Sequence, residues 1–196
     1  MNDPNEQKKR LLEVATNLFS SNGFEGTSIR DIAREMGMSI SNIYHYFGNK
    51  EGLLSAILIN NSEQLLFALK QVLHREKEPL MRFKTLLITH LQLSGEYPKE
   101  AKIFSMNEEH FTPKGKMLSW RIQREVLDIY IKELQTLRTM DIVHCISVTV
   151  AAFNILSVVS WFPRWYLPDG KLSLDEVTDE ILNFVMYGIL GTKVGG

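Results

Sequence analysis

The segment GFEGTSIRDIAREMGMSISNIYHYFGNKEGLL, residues 23–54, indicates the architecture of the chain most clearly. It predicts two short helices joined by a tight turn, followed by the start of a longer helix. Four apolar residues of the first short helix share the i, i+3, i+4, i+7 spacing of an amphipathic stripe: Ile29, Ile32, Ala33 and Met36. We expect Thr27 to cap the start of this helix, and Gly37 to end it in the left-handed conformation.

The second short helix presents a polar and aromatic face. Ser39 is the expected N-cap, and Ile43 and Phe47 are the expected inward residues. The outward residues are too polar to form a core: Ser41, Asn42, Tyr44, His45 and Tyr46. A short helix of this kind, held against another across a glycine turn, is typical of a DNA-reading helix-turn-helix.

Two strings of residues carry a resemblance to a known family. They are Ile32-Ala33-x-x-x-Gly37-x-Ser39-x-x-x-Ile43-Tyr44-x-Tyr46-Phe47-x-x-Lys50-Glu51-x-Leu53 and, before it, Ala15-x-x-Leu18-Phe19-x-x-x-Gly23-Phe24-x-x-Thr27-Ser28-Ile29. They resemble the N-terminal signature of the tetracycline-repressor (TetR) family of one-component transcription regulators. The match is dense over about the first quarter of the chain, and it is specific because capping, turn and core positions agree together.

Phosphate contacts are expected at two places. Thr27 and Ser28 can offer hydroxyl and backbone N–H groups to a phosphate at a helix N-terminus. In TetR-type proteins the lysine that matches Lys50 contacts phosphate. The positions that match Tyr44 and His45 touch the DNA backbone or the bases in that family.

Ser41 and Asn42 suit contacts with base edges, since an asparagine can pair bidentately with adenine. The alternative is that Lys50, Ser41 and Asn42 are solvated capping residues. The complete set of predicted DNA contacts is Thr27, Ser28, Ser39, Ser41, Asn42, Tyr44, His45, Tyr46 and Lys50.

Bulk composition restricts the function only weakly. The 196 residues suffice for one or two domains with an ample core. The net charge of −1 lacks the basic bias of many nucleic-acid binders, so attraction to phosphate must come from local geometry. The single cysteine, Cys145, rules out an intramolecular disulfide and fits a reducing cytosol. Because the N-terminus is polar, we expect no signal peptide and a cytoplasmic protein.

Helical spacing recurs along the chain, without strand-like alternation. We predict an all-α fold of about nine helices, with an N-terminal three-helix DNA-binding domain over residues 1–52. A helical ligand-binding and dimerisation domain follows over residues 53–196. Seven further helices are expected: near residues 7–22, from 50 past 73 with Asn49 as its N-cap, from 79, at 99–106, from 113 to 137, from 142 and from 174.

The last two predicted helices are strongly apolar. Residues 142–163 contain no Lys, Arg, Asp or Glu, so a transmembrane helix must be considered. Their polar residues favour instead a buried helix capped by Asp141, and we expect no membrane partner. In the family that this sequence resembles, the last two helices pair with those of a second subunit. That resemblance implies a homodimer, whereas the alternative is that both helices serve the internal core.

Catalytic and metal-binding patterns are weak. No two histidines fall at i, i+4, and no Gly-rich phosphate loop or nucleophile elbow occurs. The run Glu108-Glu109-His110 is interpreted as a loop, because adjacent residues do not face each other on a helix. We therefore expect no enzyme activity, no catalytic residue, no cofactor and no metal.

A small-molecule effector is the last expected partner. Aromatic rings that could line a cavity in the helical domain, and two arginines that could hold an anionic group, form the candidate ligand site: Trp120, Arg121, Arg124, Phe153, Trp161 and Trp165. The alternatives are a filled core for the rings and surface ion pairs for the arginines. Residues 161–176 also resemble the C-terminal region of TetR-type regulators that respond to acyl-coenzyme A thioesters.

The sequence thus predicts a homodimeric repressor that binds a palindromic operator on double-stranded DNA and is released by a hydrophobic effector such as an acyl-coenzyme A. One alternative is a sensor of cationic drugs, in which Glu108, Glu109 or Glu125 would matter instead of arginines. The other is a small helical enzyme with a degenerate helix-turn-helix.

Overall fold

The computed structural model describes residues 4–96, 99, 103 and 110–190. Within these ranges the chain is all-helical and has no strand, which confirms the predicted fold class. The helices are α1 (Pro4–Asn22), α2 (Ile29–Met36), α3 (Ile40–Phe47), α4 (Lys50–Arg75), α5 (Pro79–Glu96), α6 (Pro113–Thr139), α7 (Val148–Trp161), a 3-10 turn (Phe162–Arg164) and α8 (Leu174–Leu190). The helix predicted at 99–106 lies almost wholly outside the described residues.

Two compact units make up the chain. One consists of Met1–Glu63 with Lys99–Arg121, and the other of Gln64–Pro98 with Ile122–Gly196. The division falls within α4 and α6. The predicted boundary after residue 52, between a DNA-binding and a ligand-binding domain, is a different division. It stays a prediction.

The core of the first unit contains the apolar stripes that the sequence predicts. Ile32 and Leu53 are fully buried, and Ile43 is 1% exposed. The other buried members of this core are Leu11, Ala15, Phe19, Phe24, Ile29, Ala33, Leu54, Ile57, Leu58, Ile103 and Phe111. Each of α1 to α4 therefore has one face fixed by hydrophobic burial.

The start of α2 differs from the prediction. Ser28 is the N-cap: its Oγ accepts a hydrogen bond from the Asp31 N–H at 3.2 Å, while the Asp31 carboxylate accepts one from the Ser28 N–H at 3.0 Å. Thr27 is 1% exposed, and its hydroxyl lies 3.1 Å from the Leu18 carbonyl and 2.9 Å from the Gly23 carbonyl. The prediction that Thr27 caps α2 is wrong, because its hydroxyl bonds the end of α1.

Other helix ends follow the predicted signals. Gly37 ends α2 with φ 62° and ψ 33°. The Ser39 Oγ accepts a bond from the Asn42 N–H, and the Asn49 side chain accepts one from the Gly52 N–H at 2.7 Å. A capping residue that bonds a backbone group three or four residues away can be recognised from the sequence.

The second unit packs α5 against α7 and α8. Gly95 of α5 allows this close approach, since a Cβ there would lie 2.2 Å from Leu174 Cδ1 and 3.0 Å from Phe162 Cζ. Phe83, Leu86, Leu87 and Leu91 supply the fully buried face of α5.

The start of α7 also differs from the prediction. Asp141 has φ 58° and follows α6, and the next N–H, that of Ile142, donates to the Leu137 carbonyl at 3.0 Å. The prediction that Asp141 caps the next helix is therefore wrong. Ser147 is the cap, and its Oγ accepts a bond from the Val150 N–H. At 14 residues α7 is shorter than the roughly 20 residues of a membrane-spanning helix.

Among the described helices, α4 alone has the length and apolar composition that could cross a membrane. Part of its apolar surface is buried, at Leu53, Leu54 and Ile57 in the first unit and at Leu66 and Leu69 in the second, whereas Phe67 is 64% exposed. The core helix of a soluble protein has the same composition, so α4 gives little reason to infer a membrane segment.

Candidate nucleic-acid interface

The outward face of α3 is exposed, as the sequence predicts. Ile43 anchors the helix at 1% exposure, whereas Tyr44 is 49% and Tyr46 36% exposed. Ser39, Ser41, Asn42 and His45 are exposed as well. A helix of eight residues therefore presents hydroxyl, amide, imidazole and phenol groups on a rigid support. These groups can donate to and accept from base edges and phosphates.

Lys50 begins α4, directly after the turn that ends α3. Gly48 in this turn has φ 76°, and its N–H donates to the Tyr44 carbonyl at 2.8 Å. The Lys50 ammonium lies 4.1 Å from the centroid of the Phe24 ring, a cation–π contact. The structure thus places this predicted phosphate contact next to α3, with an aromatic partner that sequence spacing did not indicate.

The start of α2 offers less to phosphate than the sequence predicts. The Thr27 side chain is buried, and the exposed Ser28 hydroxyl donates to Asp31 at 2.6 Å. That hydrogen bond is the main cause that lowers the pKa of Asp31, and the neighbouring Arg34 guanidinium adds to it. The carboxylate already satisfies the free N–H and hydroxyl of Ser28, so the start of α2 is capped from within.

The candidate ligand residues are all exposed on their own units. Trp120 is 70% exposed, and Phe153, Trp161 and Trp165 are exposed by 52–58%. Arg121 and Arg124 are exposed too, and the Arg124 Nε bonds Asp128 at 3.1 Å, as the surface alternative supposed. These side chains are therefore not enclosed within either unit.

A charged cleft of about 460 Å³ lies between α4, α5 and α6 in the second unit. Two ion pairs join residues that line this cleft: Lys70 pairs with Glu125 at 2.7 Å, and Arg82 pairs with Glu133 at 2.7 Å. Glu125, named for the drug-sensor alternative, thus already has a cationic partner. Glu108 and Glu109 lie outside the described residues. Within the described ranges, no group of three or more His, Cys, Asp or Glu could hold a metal ion.

The core of the second unit contains a polar pair that sequence reasoning missed. The His90 Nδ1 lies 3.1 Å from the Tyr130 hydroxyl, and both residues are buried. Burial lowers the pKa of His90 to about 4 and raises the pKa of Tyr130 well above its usual range. Both side chains are therefore neutral near pH 7, which suits an apolar core.

An exposed polar helix, held by a glycine turn on a buried three-helix core, defines a helix-turn-helix DNA-binding protein. Two family models match this chain: "Bacterial regulatory proteins, tetR family" over residues 11–57 and "Tetracyclin repressor-like, C-terminal domain" over residues 76–189. The chain belongs to the TetR family. Its members are DNA-binding transcriptional regulators rather than enzymes, which confirms the predicted class.

Individual relatives agree with this assignment. The HTH-type transcriptional repressor KstR2 of Rhodococcus jostii is 24% identical over 192 residues, which cover 93% of this chain and 91% of the relative. The solved structure of the ketosteroid transcriptional regulator KstR2 of Mycobacterium tuberculosis is similar at a TM-score of 0.84 and 21% identity, covering 97% of this chain and 98% of that one.

A second similar structure is that of AibR in complex with isovaleryl coenzyme A and operator DNA. It gives a TM-score of 0.80 at 24% identity and covers 94% of this chain and 98% of that one. At such identities the two solved structures show a shared fold.

Proposed function

We propose that this chain is a cytoplasmic, homodimeric repressor that binds a palindromic operator through α3 and is released by an acyl-coenzyme A thioester. The observation that carries the proposal is the exposed face of α3 on its buried Ile43 anchor. Membership of the TetR family and the relatives named as repressors support it. Two copies of α3 on a two-fold axis would read two half-sites, hence the palindrome.

In this proposal Lys50 and Tyr44 contact phosphates, while Ser41 and Asn42 contact base edges. Lys50→Met and Tyr44→Phe should weaken binding to specific and random duplexes alike. Lys50→Met removes one lysine–phosphate contact from each subunit, so the slope of log K against log[salt] should become shallower by about 0.9 per subunit. Anisotropy titrations at several salt concentrations measure both effects. Lys171→Met, at an exposed lysine of the second unit, is the control that should change neither.

Homodimerisation through α7 and α8 is supported by their exposed aromatic residues. Phe153 and Trp161 on α7 are 54% and 58% exposed, and Phe184 and Tyr187 on α8 are 68% and 80% exposed. Monomeric proteins rarely leave so many large apolar side chains in water on neighbouring helices. A second copy that covers them would also set the spacing of two DNA-reading helices.

An acyl-coenzyme A effector is supported by the isovaleryl coenzyme A bound to AibR and by the resemblance of residues 161–176 to acyl-coenzyme A-responsive regulators. Isovaleryl coenzyme A should release the protein from DNA, and isovalerate or coenzyme A alone should act weakly. Arg121→Ala, and separately Arg124→Ala, should reduce this response without changing ligand-free DNA affinity. Calorimetry with a panel of thioesters and hydrophobic cations is the test: binding restricted to the cations would favour the drug-sensor alternative.

A further inference from the structure

Phe24 is the centre of an aromatic cluster in the first unit. Its ring is 4% exposed and lies 4.1 Å from the Lys50 ammonium. On other sides it meets the His110 ring, with centroids 4.7 Å apart at 30°, and the Phe19 ring, with centroids 5.2 Å apart at 57°. One phenyl ring thus joins the end of α1, the start of α4 and the segment that precedes α6.

The position of His110 is itself fixed within the first unit. Its Nε2 lies 3.5 Å from a Glu25 carboxylate oxygen, and the next residue, Phe111, is 5% exposed in the core. After that, the Thr112 N–H donates to the Ser55 Oγ of α4 at 3.2 Å. The Glu25 contact and the buried Phe111 side chain therefore fix the position of His110. The His110 ring in turn restricts the motion of the Phe24 ring.

We infer that Phe24 is a positioning residue for DNA binding that holds the Lys50 ammonium ready for a phosphate, and that His110 holds the Phe24 ring in place. The inference rests on the proposed function, in which Lys50 contacts phosphate. A lysine side chain has a flexible four-carbon stem, and a contact that restricts it in advance lowers the entropy lost on binding. The ammonium has three N–H donors, so it can face the ring and still bond a phosphate oxygen.

A double-mutant cycle tests this inference on a random-sequence duplex. Phe24→Leu keeps an apolar side chain but removes the aromatic face, and it should weaken binding about two- to five-fold per half-site. In the Lys50→Met background, the same substitution should have no further effect. Phe83→Leu is the matched control, because Phe83 is a fully buried ring of the second unit whose aromatic neighbour is Tyr130. Its effect on DNA affinity should be the same in the wild-type and the Lys50→Met backgrounds.

Two results would overturn the inference. If Phe24→Leu weakens binding equally in both backgrounds, the ring has a structural role alone. If Lys50→Met by itself leaves affinity and salt dependence unchanged, the phosphate contact fails, and with it this part of the proposed function. Thermal unfolding checks that each variant is folded. Should Phe24→Leu unfold the chain, His110→Leu replaces it. That milder change should weaken binding about two-fold with Lys50 present, and persistence of its effect in the Lys50→Met protein would equally contradict the inference.

Discussion

Two buried polar side chains, those of Thr27 and His90, each bond a specific partner. The Thr27 hydroxyl bonds backbone carbonyls at the end of α1, and the His90 ring bonds Tyr130 in the core of the second unit. Removing either polar group takes a hydrogen bond away from its partner at a buried or partly buried position, which costs stability. Substitutions at these residues should therefore change the free energy of unfolding.

Thr27→Val should lower the free energy of unfolding by about 1–3 kcal/mol, because the carbonyls of Leu18 and Gly23 lose their hydroxyl partner. The folded variant should bind DNA as the wild type does. Chemical denaturation and an anisotropy titration measure the two quantities. A variant of unchanged stability but reduced DNA affinity would show instead that the hydroxyl contacts phosphate.

His90 should make stability depend on pH. The unfolded chain binds a proton at this residue below about pH 6.5, whereas the folded chain does so near pH 4, because burial lowers the pKa. The contribution of His90 to the free energy of unfolding is therefore fully present above pH 6.5 and is lost as the pH falls towards 4. The denaturant concentration at the midpoint of unfolding should fall less steeply from pH 7 to pH 4 in His90→Gln than in the wild type. His74→Gln, at an exposed histidine, should leave the wild-type slope unchanged.

At the scale of elements, local signals predicted the helix-turn-helix and failed where distant contacts decide. Gly37 and Ser39 act on groups a few residues away, so their roles are visible in the sequence. The loop after α6 is different: the His144 N–H donates to the carbonyl of Ile189 in α8. That bond joins residues far apart in sequence and gives no local signal, whereas Asp141 ends α6 in a left-handed conformation instead of starting α7.

Asp141 should tolerate glycine but not a β-branched residue. Its φ of 58° lies in the left-handed region, which costs a branched side chain about 1–2 kcal/mol and costs glycine little. Its contact with His144 is long, at 3.7 Å, and its side chain is 96% exposed, so the carboxylate contributes little to stability. Asp141→Val should thus be less stable than the wild type, while Asp141→Gly should be equal or more stable. Equal denaturation curves for the two variants would refute this account of the turn.

For the whole molecule, the sequence predicted the family and the all-α class but not which aromatic residues face inward. From the sequence, any aromatic ring of the helical domain is a candidate for a ligand cavity, because composition gives no direction to a side chain. Trp120 and Trp161 are exposed instead, while Phe83 and Tyr130 are fully buried. Which face of an apolar helix meets its neighbours depends on packing between distant segments, and periodicity alone does not choose between two apolar faces.

Dimerisation is the prediction at this scale. Phe184→Glu should give monomers at micromolar concentration and weaken operator binding, since a carboxylate buried between subunits is costly. Ile181 is a poorer test, because it is 8% exposed and a charge there would disturb the core of its own unit. Met117→Glu, at a residue of α6 that is 70% exposed, is the control and should leave a dimer. A wild-type monomer in sedimentation would contradict the proposal.

Whether α3 of a dimer reads a two-fold site can be tested by selecting bound sequences from a pool of randomised DNA duplexes. The wild type should enrich one palindrome. Asn42→Ala should enrich a palindrome altered at one position in each half-site, with a loss of about 1–3 kcal/mol per half-site for the original sequence. Enrichment of no palindrome by the wild type, or of the same palindrome at unchanged affinity by Asn42→Ala, would contradict the account.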